Sequence, residues 1–213
     1  MAGRAGFLGV VVAVAAGGVL GGCAVEGGLV GSAVTREADP GVVARAAEIE
    51  GAGPGTQASM VAFFRSVCVV QTRYRADLQA AEAAGGQLTP VRYRDAAAGM
   101  LSARAAAADS ARRGVAELPI PDLFPEEWRS AQAELILLFD GLHLADRARA
   151  SEMAAVDPAD AEHLKTAARD LIAASAEQIE NQNPRVRLVA DRLPASEPVR
   201  RATSELAECQ TRS

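Results

Sequence analysis

Two Asp-x-x-His units, Asp140-Gly141-Leu142-His143 and Asp160-Ala161-Glu162-His163, come nearest to a chemical site by residue type and spacing. On a helix, a step of three puts carboxylate and imidazole on one face, which is how a helical bundle presents ligands to a pair of metal ions. The distance between the two units argues against such a centre. In a helical hairpin turning near residue 157, the residue level with His143 lies near 170, about seven residues or roughly 10 Å from His163. A di-metal centre also needs further glutamates in the cores of the neighbouring helices, and the sequence places none there. The hairpin could still gather Asp140, His143 and Asp170 around a single ion.

Met60, Met100 and Met153, taken with His143, raise haem or copper ligation, but there is no CxxCH, and methionine on a helix stripe is ordinarily core filler. No GxSxG, SxxK or glycine-rich phosphate loop occurs, and neither histidine has a recognisable nucleophile nearby. The expectation is a chain with no cofactor and no catalysis. A binding site is better suggested by Leu118-Pro119-Ile120-Pro121-Asp122-Leu123-Phe124-Pro125, the most hydrophobic loop of the chain. Ile120, Leu123 and Phe124, with Trp128 just beyond, could touch lipid or a protein partner, or could cap the end of the protein's own core.

The amino terminus has a single charge, Arg4, and then an uncharged run from Ala5 to Gly22 centred on Phe7, Leu8, Val10 to Val14, Val19 and Leu20. This is the pattern of an export signal, and the run is too short and too rich in glycine for a spanning helix. Leu20-Gly21-Gly22-Cys23 resembles the lipobox of bacterial lipoproteins. The resemblance covers these four residues and the signal architecture. It implies a diacylglyceryl thioether on Cys23, cleavage between Gly22 and Cys23, and a further acyl chain such as palmitate on the new amino terminus. Two or more chains anchor a protein stably on the extracytoplasmic face of the cell membrane, where one would not.

With Cys23 assigned to the lipid, Cys68 and Cys209 remain. Outside the cytoplasm such a pair tends to be oxidised. Free thiols or a metal pair are the alternatives, and the absence of CxxC argues against a redox-active dithiol. A bridge closing a loop of about 140 residues would contribute about 5 kcal/mol by loop entropy.

The chain has 22 Lys and Arg against 27 Asp and Glu, and only Arg4 precedes Cys23, which leaves −6 on the remainder. That balance argues against nucleic acid and against electrostatic docking on anionic headgroups.

The elements that position these residues are helices. Residues 1–22 read as signal peptide, 23–57 as a glycine-rich tether and 58–213 as a helical domain; within the tether, Asp39-Pro40 could start a short helix to Glu50. The first long helix spans Gln57 to Ala84, with Met60, Phe63, Val67, Val70, Tyr74 and Leu78 on one stripe and Phe64, Cys68 and Gln71 on a second, and stops at Gly85-Gly86. Thr89-Pro90 starts the next, which runs to Glu117 on an alanine-rich face. A third, from Pro125 to Val156, is apolar on every side at Leu135 to Phe139 and is expected to be the most buried. Asp157-Pro158 starts a fourth, which Asn183-Pro184 ends or kinks. Ser196 caps a last helix whose stripe of Val199, Ala202 and Leu206 ends at Cys209, the natural partner of Cys68.

The whole predicts an all-α, up-down four-helix bundle with a C-terminal helical extension, preceded by a flexible tether. Its expected partners are the membrane, through the lipid on Cys23, and an envelope protein. The expected role is binding or scaffolding, with the alternative of an extracytoplasmic carrier holding a small apolar ligand, haem or metal between the second and third long helices.

Overall fold

The computed structural model describes residues 40–82, 89–207 and 209–210; Cys23, the tether up to residue 39 and Gly85-Gly86 lie outside these. Proline sets most of the helix starts. α1 (Pro40–Gly51), α2 (Pro54–Glu82), α3 (Pro90–Ala116) and α4 (Pro125–Ala155) each begin on one, where the missing N–H costs nothing and φ is already helical. Ahead of α3, the Thr89 hydroxyl accepts from the Arg92 N–H at 3.4 Å. α5 (Ala161–Arg192) and α6 (Glu197–Ser204) complete the element order, and no strand occurs among the described residues.

Helices α2 to α5 form an all-α, up-down four-helix bundle in which α3 packs on α2, α4 and α5, most extensively on α4. The short helix anticipated inside the tether is α1, and it joins the folded body. Ile49 is buried in the core, and Gln57 Nε2 donates to the Ile49 carbonyl at 3.2 Å across the α1–α2 corner.

Three bundle boundaries differ from expectation, the first being α2, which begins at Pro54 inside the stretch read as tether and not at Gln57. Asp157 does not cap α5; it accepts from the Ala159 N–H at 2.9 Å in the preceding turn, and Asp160 is the cap, accepting from the His163 N–H at 3.0 Å. Pro184 does not end α5, which runs through it to Arg192. An interior proline costs about 3 kcal/mol. The turns beyond it bury Val189 and Leu193 in the core, and at about 1.5 to 3 kcal/mol for each such side chain that burial offsets the loss.

The α3 face is made of small residues: Ala97, Ala105, Ala107, Ala108 and Ala111 are all buried. At Gly114 the approach is closer still, because a Cβ there would meet Val70 Cγ2 of α2 at 2.9 Å. Large side chains from α2 and α4 fill the remaining space, chiefly Met60, Phe63, Trp128, Leu135, Phe139 and Leu142.

Although Leu135 to Phe139 is apolar on every side, α4 is not buried all round: Leu137 is 70% exposed and Leu144 56% exposed. With α3 and α5 on its flanks and the core beneath, α4 keeps one face toward solvent.

The hydrophobic loop 118–125 closes the end of the bundle where α2 starts. Trp128 is fully buried, stacks edge-on with Phe63 and Phe64 at centroid distances of 4.9 and 5.6 Å, and donates from Nε1 to the Leu123 carbonyl at 3.0 Å. Phe124 sits in the left-handed region at φ 58, a conformation that costs a residue with a Cβ about 1 to 2 kcal/mol. The indole bond and the packing of Ile120, Leu123 and Phe124 on the core hold it there.

At the other end of the chain, α6 lies against α2 with Val199 buried, and the following turn brings Cys209 to Cys68 as a disulfide, Cα–Cα 5.0 Å, across 141 residues of sequence. The helix itself stops at Ser204, short of the expected Cys209.

Trp128→Ala should lower unfolding free energy in urea by about 3 to 5 kcal/mol, since it removes both the ring stack and the bond holding the loop. Replacing Cys68 and Cys209 together by serine should cost about 2 to 5 kcal/mol in the same measurement; a loss near zero would mean that the bridge does not restrain the unfolded chain.

Candidate functional site

The two Asp-x-x-His units have separate structural duties. Asp160 is the α5 cap, so its spacing to His163 is that of a capping side chain and the third backbone N–H of a helix. On α4, His143 Nδ1 lies 3.0 Å from the Ala105 carbonyl of α3, and because a carbonyl only accepts, Nδ1 carries the proton. Asp140 faces Arg112 Nε at 3.8 Å. Arg112 also donates to Asp109 from Nη2 at 2.8 Å, and this hydrogen bond holds the Asp109 carboxyl below the ordinary range. Asp170 is exposed and takes Arg169 Nε at 2.9 Å.

Asp140, His143 and Asp170 are therefore not gathered as an ion site. A cation beside Asp140 would also face the Arg112 guanidinium. Among the described residues, no group of three His, Cys, Asp or Glu side chains could hold a metal.

What the structure does gather is a buried polar layer across all four bundle helices. Arg104 of α3 donates from Nη1 to Ser175 Oγ of α5 at 2.9 Å and from Nη2 to Glu82 Oε1 of α2 at 2.7 Å. Asp146 of α4 is buried and accepts from Arg149 Nη1 at 2.8 Å, and Arg149 Nη2 donates to Gln178 Oε1 of α5 at 2.7 Å. Tyr74 of α2 completes the layer, its ring edge-on to Phe139 at 5.3 Å.

Along α3 and α4 the layer falls between two apolar clusters. Arg104 separates Leu101 from Ala107 and Ala108, and Asp146 separates Leu142 from Ala150. The charged groups are paired, which burial demands. The Tyr74 hydroxyl and Arg104 Nε have no hydrogen-bond partner. Burial pushes the Tyr74 phenol up, and the Asp146 carboxylate adds to this while Arg104 opposes it. A sequence signal for the layer does exist. Asp146 continues the α4 core stripe of Leu135, Phe139 and Leu142, and Arg104 sits among the core alanines of α3.

Among the described residues, two shallow grooves lie between α4 and the end of α5. One is lined by Glu134, Leu138, Arg185, Leu188 and Arg192, and the other includes Glu127, Ser130, Val189 and Leu193. Neither lies between α3 and α4, where the buried alanines meet Leu135 and Leu142. Ile120, Leu123 and Phe124 are half-buried against the core, so the loop acts as a lid on the bundle end. The large apolar groups that do face solvent include Leu137 and Leu144 on α4 and Leu188 on α5, 60% exposed.

The chain matches no protein-family model, no curated protein and no solved structure.

The Tyr74 phenol ionises near pH 10 in an unfolded chain, but burial keeps it protonated to higher pH in the folded one. Stability from this group is therefore intact below about pH 10 and falls as pH rises above it. Tyr74→Phe should remove that alkaline decline in urea unfolding. At pH 7 it should leave stability unchanged or raised, because the hydroxyl has no partner to lose.

Proposed function

We propose that this chain is a lipid-anchored, non-enzymatic protein on the extracytoplasmic face of a bacterial cell membrane, acting by binding or scaffolding in the envelope. One observation carries the binding part: Leu137 and Leu144 stand 70% and 56% exposed on the outer face of α4. Exposed leucines one after another on a single helix face lose free energy to water that a partner would recover.

Several features support the rest. Leu20-Gly21-Gly22-Cys23 has the lipobox pattern. The paired Cys68 and Cys209 suit an oxidising compartment. No helix among the described residues is long and apolar enough to cross a membrane, and the anchor proposed is the lipid on Cys23. The polar groups with most chemical potential, Arg104 and Asp146, are buried in structural pairs, which favours a binding role over a catalytic one. The close-packed α3–α4 interface gives least support to a carrier of a small apolar ligand, haem or metal.

In a bacterial host, Cys23→Ser should move the protein from the membrane fraction to the soluble extracytoplasmic fraction; full membrane retention would refute the lipid anchor. For the binding role, a photo-crosslinking residue at position 137 of the full chain, activated in intact cells, should give covalent protein adducts. If neither position 137 nor position 144 gives any adduct, the outer face of α4 is not a binding surface.

A further inference from the structure

Arg104 marks a level in the bundle. It bonds at once to Glu82 of α2 and Ser175 of α5, so those two residues stand across one seam at one height. The up-down order makes α2 and α5 antiparallel, and a step of seven residues is about two turns, or roughly 10 Å, with only about 20° of rotation. One such step from Glu82 back along α2 is Arg75, one from Ser175 along α5 is Gln182, and one from Arg104 along α3 is Ala111. The lower level therefore repeats the upper one without its joining side chain, because a buried alanine stands where the arginine bridge would be.

The repeat leaves polar groups without partners. Arg75 is half-buried, and Gln182 Oε1 is buried with no hydrogen-bond partner. Arg187 adds a second cation, roughly 7 to 8 Å further along α5 than Gln182. It lies on the flank turned away from α4, since Gln178 and Arg192, which reach Arg149 and Glu134 of α4, are on the other side. Burial and the Arg187 charge hold the Arg75 guanidinium below its ordinary range. Neither arginine has an ion pair or side-chain hydrogen bond among the described residues.

The carboxylates in the neighbourhood do not neutralise this pair. Asp77, two residues from Arg75, is about 160° round α2 from it. Glu82 is committed to Arg104 at 2.7 Å. On α5, Glu180 and Asp191 are exposed on the solvent side of Arg187, about 10 Å and 6 Å along the helix from it, and neither forms an ion pair with it.

We infer that this seam is a binding site for a phosphate group, free or as a monoester, held between Arg75 and Arg187 with Gln182 beneath. Two guanidiniums carry two charges, and a phosphate monoester at neutral pH carries about −1.5 to −2. A carboxylate or a phosphodiester carries one and leaves half of the repulsion standing. Arginine suits the role because its planar fork presents paired N–H groups to two oxygens at once. A half-turn of the Gln182 amide exchanges Oε1 for Nε2, which then donates to a third oxygen. The site is separate from the outer face of α4, so its failure leaves the binding reading above intact.

The test is calorimetric titration of the detergent-solubilised full chain with inorganic phosphate, at neutral pH and constant ionic strength. One phosphate should bind per chain. Arg75→Gln and Arg187→Gln should each weaken it by about ten- to hundredfold, while Arg169→Gln, elsewhere on α5 and paired with Asp170, should leave it unchanged. Arg187 is exposed, so that variant keeps the test valid if Arg75→Gln fails to fold. Acetate and dimethyl phosphate should bind at least about tenfold more weakly than phosphate. Glycerol phosphate binding as tightly as inorganic phosphate supports a monoester as the occupant, and much weaker binding supports free phosphate. The inference is wrong if the unaltered chain binds no phosphate, if binding survives both arginine changes, or if Arg169→Gln weakens it as much as they do. Acetate bound as tightly as phosphate would overturn the two-charge assignment.

Discussion

Close packing of an alanine face against large side chains is the constraint on which the rest of this structure depends. Ala105, Ala107, Ala108 and Ala111 let α3 sit deep among its neighbours, and Gly114 brings it into contact range of Val70 on α2. Alanine buries little area, so each contact on α3 contributes little, at about 25 cal/mol per Å². The fold compensates at its ends. Phe63, Phe64 and Trp128 close one end under the 118–125 loop, and the Cys68–Cys209 bridge ties the C-terminal segment to α2. Central placement of α3 also explains why α4 is left with a solvent face: α3 and α5 already flank it.

The buried polar layer answers a different need. Small, similar side chains on α3 would allow neighbouring helices to slide by a turn at little cost. Arg104 bonded at once to α2 and α5, and Asp146 linked through Arg149 to α5, can be satisfied in only one register. Any slip leaves a buried charge unpaired, a penalty far larger than the loss of an alanine contact. Here polar groups specify the arrangement and the aromatic groups supply much of its stability.

Both features bear on function by subtraction. Most of the residues that look chemical in the sequence are occupied: Asp160 by the α5 cap, His143 by the Ala105 carbonyl, Asp140 by Arg112 and Asp170 by Arg169. Left outward are Leu137 and Leu144 of α4, the face on which the proposed binding role rests.

The sequence by itself determined what depends on neighbours within a few residues. Proline and capping side chains are local, so the starts of α3 and α4 were legible at Thr89-Pro90 and Pro125, while α2 was read from Gln57 and begins three residues earlier at Pro54. The core stripe of α2 and the pairing of Cys68 with Cys209 followed from periodicity. Tertiary structure alone decided matters of competition between distant groups. Leu135 to Phe139 is apolar all round, so no periodicity within α4 could say that Leu137 would be the side left out; the positions of α3 and α5 settled it. Pro184 reads as an end or a kink, and the burial of Val189 and Leu193 beyond it favours α5 continuing as a helix. Arg104 and Ser175 are 71 residues apart in the chain, and nothing local announces that they meet. A local signal survives folding when its energy is spent within one turn, and is overruled when a few buried side chains outweigh it.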